Sequence, residues 1–268
     1  MAQQMQFPVS KEGEPKVEGL VLSVMDYEER NGILHLATPD QIYSVYARGI
    51  LQPTSKNKRL AMPFSRVTLN YDPKYSHNMM YLINGSVDQN YWKVGESLEM
   101  QTVSSILAAL IESYGIDPEL YQDLEAFWSL LQQGNSNLAL LHACRVVTGI
   151  LKKTGTIMDV DECVVCRKKT RIAGVSVENG GFVCLEHFDP QIGDLLFSKD
   201  DLLKLRGLVK IKPDQLEVLY SFSWDLPFLV FLLDWLVYHN DHHLKSLDFL
   251  KTLLPAKKAA LSKEKVAK

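Results

Sequence analysis

The stretch VEGLVLSVMDYEERNGILHLAT, residues 17–38, holds two apolar runs joined by a short polar segment. Val17 to Tyr27 and Leu34 to Thr38 are rich in residues typical of strands. Asn31-Gly32 lies between them, and this dipeptide readily adopts the positive backbone angles that a tight hairpin turn requires. The stretch therefore predicts an antiparallel β-hairpin near the start of the chain.

Three further short strands are predicted at similar spacing: Gln41 to Tyr46, Arg66 to Tyr71 and Met80 to Ile83. Turn signals separate them, namely Pro39-Asp40, Pro53-Thr54 and Asp72-Pro73. Closure into a barrel removes the exposed edges that an open sheet of five short strands would leave. Residues 1–85 thus predict a small five-stranded barrel, for which the OB-fold is the obvious candidate.

From about residue 98 onward, apolar residues recur at helical spacing. A first helix is predicted around Met100 to Ile111, a second opens at Pro118, and a third carries Leu138 to Leu151. After an interruption, three more helices are predicted: Asp201 to Gly207, Asp214 to Phe222 and Leu226 to Leu254. The last is apolar on most sides up to Tyr238, so we expect it to form the buried centre of a helical bundle.

These patterns predict an α+β chain of several domains. An OB-fold barrel, residues 1–85, is followed by an all-α bundle. The first part of the bundle is residues 86–160, and its second part, residues 191–268, ends in a lysine-rich tail. Residues 161–190 form an inserted segment with the spacing of a metal site.

The inserted segment carries the clearest chemical motif, Cys163-Val-Val-Cys166, then seventeen residues, then Cys184-Leu-Glu-His187. A two-residue separation lets both members of a pair face one ion, and three thiolates with one imidazole make the closed tetrahedral set of structural zinc. With all four positions taken by protein, none remains for a catalytic water. The alternatives are a CxxC redox pair and unliganded thiols in a reducing cytosol. Cys144, on an apolar helix face, is expected to be ordinary core.

Composition excludes some classes of protein. The 268 residues include 29 basic and 32 acidic side chains, which excludes a uniformly basic nucleic-acid coat protein. Residues 1–8 lack the features of a signal peptide, and no apolar run reaches the roughly twenty residues of a membrane span. We therefore expect a soluble, cytoplasmic protein without a membrane partner.

Basic residues concentrate between Val45 and Tyr75, where six cations are accompanied by Asp72 alone. Cations in exposed loops neutralise phosphates, and aromatic rings on adjacent strands can stack on unpaired bases. The candidate DNA-contacting residues are Arg48, Lys56, Lys58, Arg59, Arg66 and Lys74. The rings near them are Tyr43, Tyr46, Phe64, Tyr71 and Tyr75, and the sequence assigns none of these a stacking role. The alternative interpretations are a solvated loop and tyrosines that belong to the barrel core.

Signatures of catalysis are missing from the sequence. It contains no GxSxG, no GxxxxGK[ST], no GxGxxG and no HExxH, and the HxE element of the zinc deaminases is also missing. We therefore expect a protein that is not an enzyme.

The order of these features resembles the bacterial recombination mediator RecO family, whose members pair an N-terminal OB-fold with a helical domain interrupted by a cysteine-rich zinc segment. The matching stretches are Val21 to Tyr27, His35-Leu-Ala-Thr38, Ala47-Arg48-Gly49, Met62-Pro63-Phe64, Cys163 to Cys166, Gly180 to Cys184 and Leu244 to Leu250. Two departures stand out. Arg167 replaces the usual glycine after the second cysteine, and His187 replaces the usual fourth cysteine. Because some members lack the cysteines, the resemblance implies that the metal supports folding.

The resemblance implies a non-enzymatic function in DNA repair. RecO-like proteins bind single- and double-stranded DNA, anneal complementary strands, and act with RecR to load RecA onto strands coated by single-strand-binding protein. They also contact the acidic C-terminal tail of that coating protein through the helical domain. RecF and RecA are expected as indirect partners, and the expected location is the cytoplasm, associated with the nucleoid.

Two other functions stay open at this stage. One is a zinc-stabilised scaffold that binds only protein partners, and the other is a nucleic-acid enzyme whose site lacks a recognisable motif. DNA binding that weakens with salt distinguishes a mediator from the scaffold. The enzyme requires a reaction product.

Overall fold

A computed structural model describes residues 7–9, 13–75, 78–241 and 243–254. The chain divides into two compact units, residues 1–135 and 136–268. The lysine-rich tail after Leu254 lies outside the described residues.

The first unit begins with a closed five-stranded barrel whose strand order is β1-β2-β3-β5-β4, with β4 returning to pair with β1. All pairs are antiparallel except β3 with β5, which is parallel. This confirms the OB-like barrel that the sequence predicts. The strands are β1 (Lys16–Tyr27), β2 (Asn31–Ala37), β3 (Ile42–Ala47), β4 (Ser65–Tyr71) and β5 (Met80–Asn90).

The long first strand closes the barrel by pairing on both of its edges. Its register shifts between Val21 and Ser23, so the first half of β1 pairs with β4 and the second half with β2. A bulge of this kind bends a strand and increases its twist, which closure requires. At Gly19 the backbone of β1 passes so close to β2 that a Cβ atom would collide with the Ala37 carbonyl oxygen.

Alternating side chains of these strands fill the barrel. Along β3, Tyr43, Val45 and Ala47 are buried while the residues between them are not. This period of two is the pattern of a strand with one face in a core. The core also takes in Leu34, Leu36, Val67, Leu69 and Met80.

After the barrel, the described part of the first unit contains two α-helices: α1 (Leu98–Tyr114) and α2 (Pro118–Gln132). Ser97 and Asp117 cap their N-termini by accepting hydrogen bonds from backbone N–H groups, which satisfies donors that the first turn leaves free. Gly115 ends α1 at a backbone φ of 79°, as the sequence predicts.

The helices contact the outside of the barrel. The hydroxyl of Ser23 on β1 donates to a Glu112 carboxylate oxygen on α1 at 2.6 Å. The indole of Trp128 on α2 packs against the ring of Phe64, with centroids 5.4 Å apart. The compact unit therefore extends beyond residue 85, where the sequence predicts a domain boundary, and that residue lies inside β5.

Within its described residues, the second unit combines four α-helices with a three-stranded sheet of order β7-β6-β8. Helix α5 is buried along most of its length through Phe228, Leu229, Leu232, Leu233 and Trp235, which confirms its predicted central position in the packing. The elements are α3 (Ser136–Lys153), β6 (Ile172–Ser176), β7 (Gly181–Cys184), β8 (Leu195–Leu196), α4 (Lys199–Lys210), α5 (Leu226–Asn240) and α6 (Lys245–Leu253).

Two predicted helices are corrected by the structure. The predicted helix from Leu226 to Leu254 is two helices, because Asp241 adopts a left-handed conformation, φ 47°, that ends α5. The segment predicted as a helix from Asp214 to Phe222 is a 3₁₀ helix, Pro213–Ser221. Among the described residues, no helix combines the length and the apolar character that crossing a bilayer requires.

Candidate metal centre and nucleic-acid interface

The four predicted metal ligands lie on two turns that flank the β6–β7 hairpin. In the first turn, the Arg167 N–H donates to the Cys163 carbonyl oxygen at 2.8 Å, which brings Cys163 and Cys166 to the same side. In the second, the His187 N–H donates to the carbonyl oxygen of Cys184, the last residue of β7, at 3.0 Å. The hairpin register then brings the two turns together.

The ligand atoms of Cys163, Cys166, Cys184 and His187 all lie within 4.8 Å of one another. The Sγ atoms of Cys166 and Cys184 are 3.8 Å apart. The Nδ1 atom of His187 is 3.3 Å from the Cys184 sulfur and 3.9 Å from that of Cys163. Bonds of about 2.3 Å from sulfur to a tetrahedral zinc ion place two sulfurs about 3.8 Å apart. The four side chains therefore form a group that could hold one metal ion.

The pKa values of Cys163 and Cys166 are shifted in opposite directions. Burial raises the pKa of Cys163, but the backbone N–H groups of Cys166, Cys184 and Val165 outweigh burial and lower that pKa to about 6. At Cys166 the backbone N–H of Lys168 lowers the pKa, but desolvation and the neighbouring sulfurs outweigh it and raise the pKa. The thiolate form is thus favoured at Cys163, whereas Cys166 resists further negative charge. A divalent cation relieves that repulsion.

Arg167, which departs from the family pattern, lies in the left-handed region with a φ of 61°. This conformation costs a residue with a Cβ atom about 1 kcal/mol or more, and it is the one in which glycine is preferred. The Arg167 guanidinium is 3.4 Å from Glu162 and 3.7 Å from Asp159. The turn therefore keeps its glycine-type geometry although the side chain has changed.

Cys144 lies apart from this cluster. It is completely buried on α3, and burial raises the pKa of its thiol. This confirms the prediction that Cys144 belongs to the core.

Four of the six predicted DNA-contacting residues lie on the segment that joins β3 to β4. Arg48, Lys56, Lys58 and Arg59 are all exposed. The side-chain amide of Asn57 donates to the Ile83 carbonyl oxygen at 3.1 Å, which fastens this segment to β5.

Lys74 lies on the loop that joins β4 to β5. The end of β3 pairs with the start of β5, so Arg48, just past β3, and Lys74, just before β5, flank the same pair of neighbouring strands. In the described part of the chain, these two cations, like Lys56, Lys58 and Arg59, form no ion pair with a carboxylate.

Arg66 differs from the other five cations. It lies within β4, and its guanidinium is 2.9 Å from a carboxylate oxygen of Glu125 on α2. The hydrogen bond to Glu125 raises the pKa of Arg66. Its charge is therefore already matched by a carboxylate within the first unit.

The rings near the basic residues fall into three groups. Tyr43 and Tyr71 are buried in the barrel, while Phe64 packs against Trp128. Tyr46 and Tyr75 instead lie on the outer surface, together with two rings that the sequence analysis does not single out, Tyr27 and Tyr81. The alternation along β3 would have marked Tyr46 as outward-facing, but the alignment of the four rings depends on strand pairing.

The barrel, the helices and the inserted cysteine cluster follow one another in the order that the resemblance to the RecO family implies. A family model described as the C-terminal part of recombination protein O matches residues 99–252, more than half of the chain. The chain therefore belongs to the recombination protein O (RecO) family.

Curated relatives agree with this family. The DNA repair protein RecO of Bacillus pumilus (strain SAFR-032) is 27% identical over 214 residues, which cover 74% of this chain and 82% of the relative. RecO of Halalkalibacterium halodurans is 25% identical over 215 residues, which cover 74% of this chain and 83% of that relative. RecO of Bacillus subtilis (strain 168) is 24% identical over 216 residues, which cover 74% of this chain and 82% of that relative. The family is one of DNA repair recombination mediators and not of enzymes.

Proposed function

We propose that this protein is a non-enzymatic recombination mediator that binds single- and double-stranded DNA and promotes the annealing of complementary strands. The observation that supports this most directly is the group of exposed cations on the β3–β4 segment: Arg48, Lys56, Lys58 and Arg59. Cations without a protein carboxylate partner are available to neutralise phosphates. Annealing requires that two strands be held with their charges screened and their bases accessible.

The proposed DNA-binding set keeps Lys74, an exposed residue on the loop before β5, the strand whose start pairs with the end of β3. Arg66 is a weaker member, because binding a phosphate means competing with Glu125 at 2.9 Å. The set therefore consists of five principal cations and one that is partly neutralised.

The proposed cofactor is a structural Zn²⁺ ion held by Cys163, Cys166, Cys184 and His187. Support comes from the chemistry of the donors and from their convergence within 4.8 Å. When bound, the ion links the β6–β7 hairpin to the turn before it. A closed set of four protein ligands suits a folding function.

The proposed partners follow from membership of the family. They are RecR, with which the protein acts to load RecA onto strands coated by single-strand-binding protein, and the acidic C-terminal tail of that coating protein, which docks on the helical region. RecF and RecA are proposed as indirect partners. The proposed location is the cytoplasm, associated with the nucleoid.

Fluorescence anisotropy with a labelled oligonucleotide, first single-stranded and then duplex, tests the DNA-binding function across a series of salt concentrations. We expect micromolar or tighter binding that weakens steeply with salt, because each neutralised phosphate releases counterions. An annealing assay with two complementary strands then tests the consequence. The absence of binding even at low salt would contradict the proposal and favour a zinc-stabilised scaffold that binds only protein.

A further inference from the structure

Four tyrosines form a continuous row on the outer surface of the barrel. Tyr27 ends β1, Tyr46 lies near the end of β3, Tyr81 near the start of β5, and Tyr75 on the loop before β5. Ring centroids are 5.9 Å apart between Tyr27 and Tyr46, 5.1 Å between Tyr46 and Tyr81, and 6.0 Å between Tyr81 and Tyr75. We call these four residues the tyrosine row.

The strand register explains why the rings meet. The parallel pairing of β3 with β5 places Tyr46 directly opposite Tyr81. Val45 and Met80, the residues just before them, are buried in the barrel, so the two tyrosines point outward. Ring contacts then extend the row to Tyr27 on one side and Tyr75 on the other.

The row is accessible to a ligand. The exposed fraction is 63% at Tyr75, 44% at Tyr27 and 38% at Tyr81, and Tyr46 is half-buried, whereas the core residue Tyr43 is only 5% exposed. A tyrosine buried in the core offers no ring face to a partner, whereas the rings of the tyrosine row are aligned on the surface of the barrel. Exposed apolar patches are typical of interaction sites.

The position of the row fits an oligonucleotide. OB-folds bind oligonucleotides on the face of their second and third strands and with the loops that follow the first and fourth strands. In this barrel the described residues of those loops are 28–30, next to Tyr27, and 72–75 and 78–79, which include Tyr75. Arg48 and Lys74 lie within two residues of Tyr46 and Tyr75, so cations accompany the rings.

Next to Tyr27, the charges of the protein are expected to supply only part of the affinity for a nucleic acid. Asp26, Glu28 and Glu29 lie on the first hairpin beside Tyr27 and repel phosphates. A ligand seated here therefore needs a favourable contact that does not depend on its charge. Stacking of bases on aromatic rings is such a contact, and it is tolerant of sequence.

We propose that the tyrosine row is a stacking platform for the unpaired bases of single-stranded nucleic acid. The proposal rests on the DNA-binding function proposed above and deepens it. Because paired bases are stacked on each other inside a duplex, the row binds single strands and leaves duplex binding to the cations. It thus makes the barrel selective for the state of the DNA that annealing begins from.

The test compares two ligands of equal charge: an oligothymidylate of about 15 nucleotides and an abasic strand of the same length. Anisotropy at raised salt gives the ratio of their affinities. We expect the wild-type protein to prefer the strand with bases, and Tyr46→Leu and Tyr81→Leu each to reduce this preference about fivefold or more. Tyr46→Phe and Tyr81→Phe keep the ring and should keep the preference.

Tyr238→Leu is the matched control, since Tyr238 is an equally exposed tyrosine at 61% that lies on α5 in the second unit. It should leave the preference unchanged, and thermal melting checks that every variant folds.

Equal affinity of the wild-type protein for both strands would overturn the stacking proposal while leaving DNA binding intact. So would a preference that the leucine variants retain, because the bases would then be recognised by residues other than the tyrosine row. Failure to bind either strand would instead overturn the DNA-binding function itself.

Discussion

The cluster of four candidate ligands and the basic β3–β4 segment both lie in irregular parts of the chain, but their side chains are arranged differently. The four ligands of the cluster converge within 4.8 Å and are held by backbone hydrogen bonds of two turns. The cations at 48, 56, 58 and 59 are exposed and, among the described residues, have no carboxylate partner. Coordination requires convergence, whereas neutralising phosphates requires only that charge lie on one face. Loss of one residue should therefore be severe in the cluster and graded in the basic segment.

The largest effect is expected from Cys163→Ser or Cys184→Ser. Each removes one ligand of a closed set, and because metal binding contributes to folding, the free energy of unfolding should fall by about 3 kcal/mol or more. Metal content by mass spectrometry and thermal unfolding with and without chelator measure this. Wild-type stability that does not respond to a chelator would contradict a structural metal.

Two controls separate ligand loss from general damage to the second unit. Cys144→Ala alters a buried thiol outside the cluster and should keep the metal, although it leaves a small cavity. His187→Cys replaces one ligand with another and should also keep it. Loss of metal from Cys144→Ala would mean that global unfolding, and not ligand removal, explains the serine variants.

An intermediate and graded effect is expected when Lys56, Lys58 and Arg59 are replaced together by alanine. The slope of log affinity against log salt should become shallower by about 2 units for single strands and about 3 for duplex. Each lost phosphate contact contributes about 0.7 unit on a single strand and about 0.9 unit on duplex. Anisotropy in a salt series measures both slopes. Arg66→Ala is the matched control, and its change should be smaller than one contact because Glu125 already neutralises that charge. An unchanged slope in the triple variant would move the DNA site away from this segment.

The smallest effect is expected from Arg167→Gly. Glycine relieves the left-handed backbone at φ 61°, but the change also removes the exposed ion pairs with Glu162 and Asp159. Since such pairs contribute little, we expect the free energy of unfolding to rise by up to about 1 kcal/mol with the metal retained. Denaturant unfolding of the metal-loaded protein measures the change. A clear loss of stability would show that the ion pairs of Arg167 outweigh its backbone strain.

Local patterns made much of this molecule predictable from sequence. Alternation and turn residues predict all five barrel strands, and the spacing of Cys163, Cys166, Cys184 and His187 predicts a cluster that the fold does bring together. These features depend on residues close in the chain or on repeated short motifs. The family pattern also identifies Arg167 as unusual, and the structure explains why glycine suits that position.

Features that depend on distant pairing could not be predicted in this way. The ion pair of Arg66 with Glu125 joins residues 59 positions apart. The alignment of Tyr46 with Tyr81 depends on the parallel register of β3 and β5, which no local pattern records. The end of α5 at Asp241 was missed because the apolar spacing continues beyond it, and a single left-handed residue is enough to end a helix.

The contact between Phe64 and Trp128 has a consequence for how the protein can be divided. Phe64 adopts a left-handed backbone, φ 60°, and its ring packs on an indole that is completely buried on α2. A chain truncated after residue 85 would lose that indole, the last five residues of β5 and their pairing with β4. A piece of the chain that keeps these contacts together with the barrel therefore ends near Asn135, and it includes two α-helices as well as the strands.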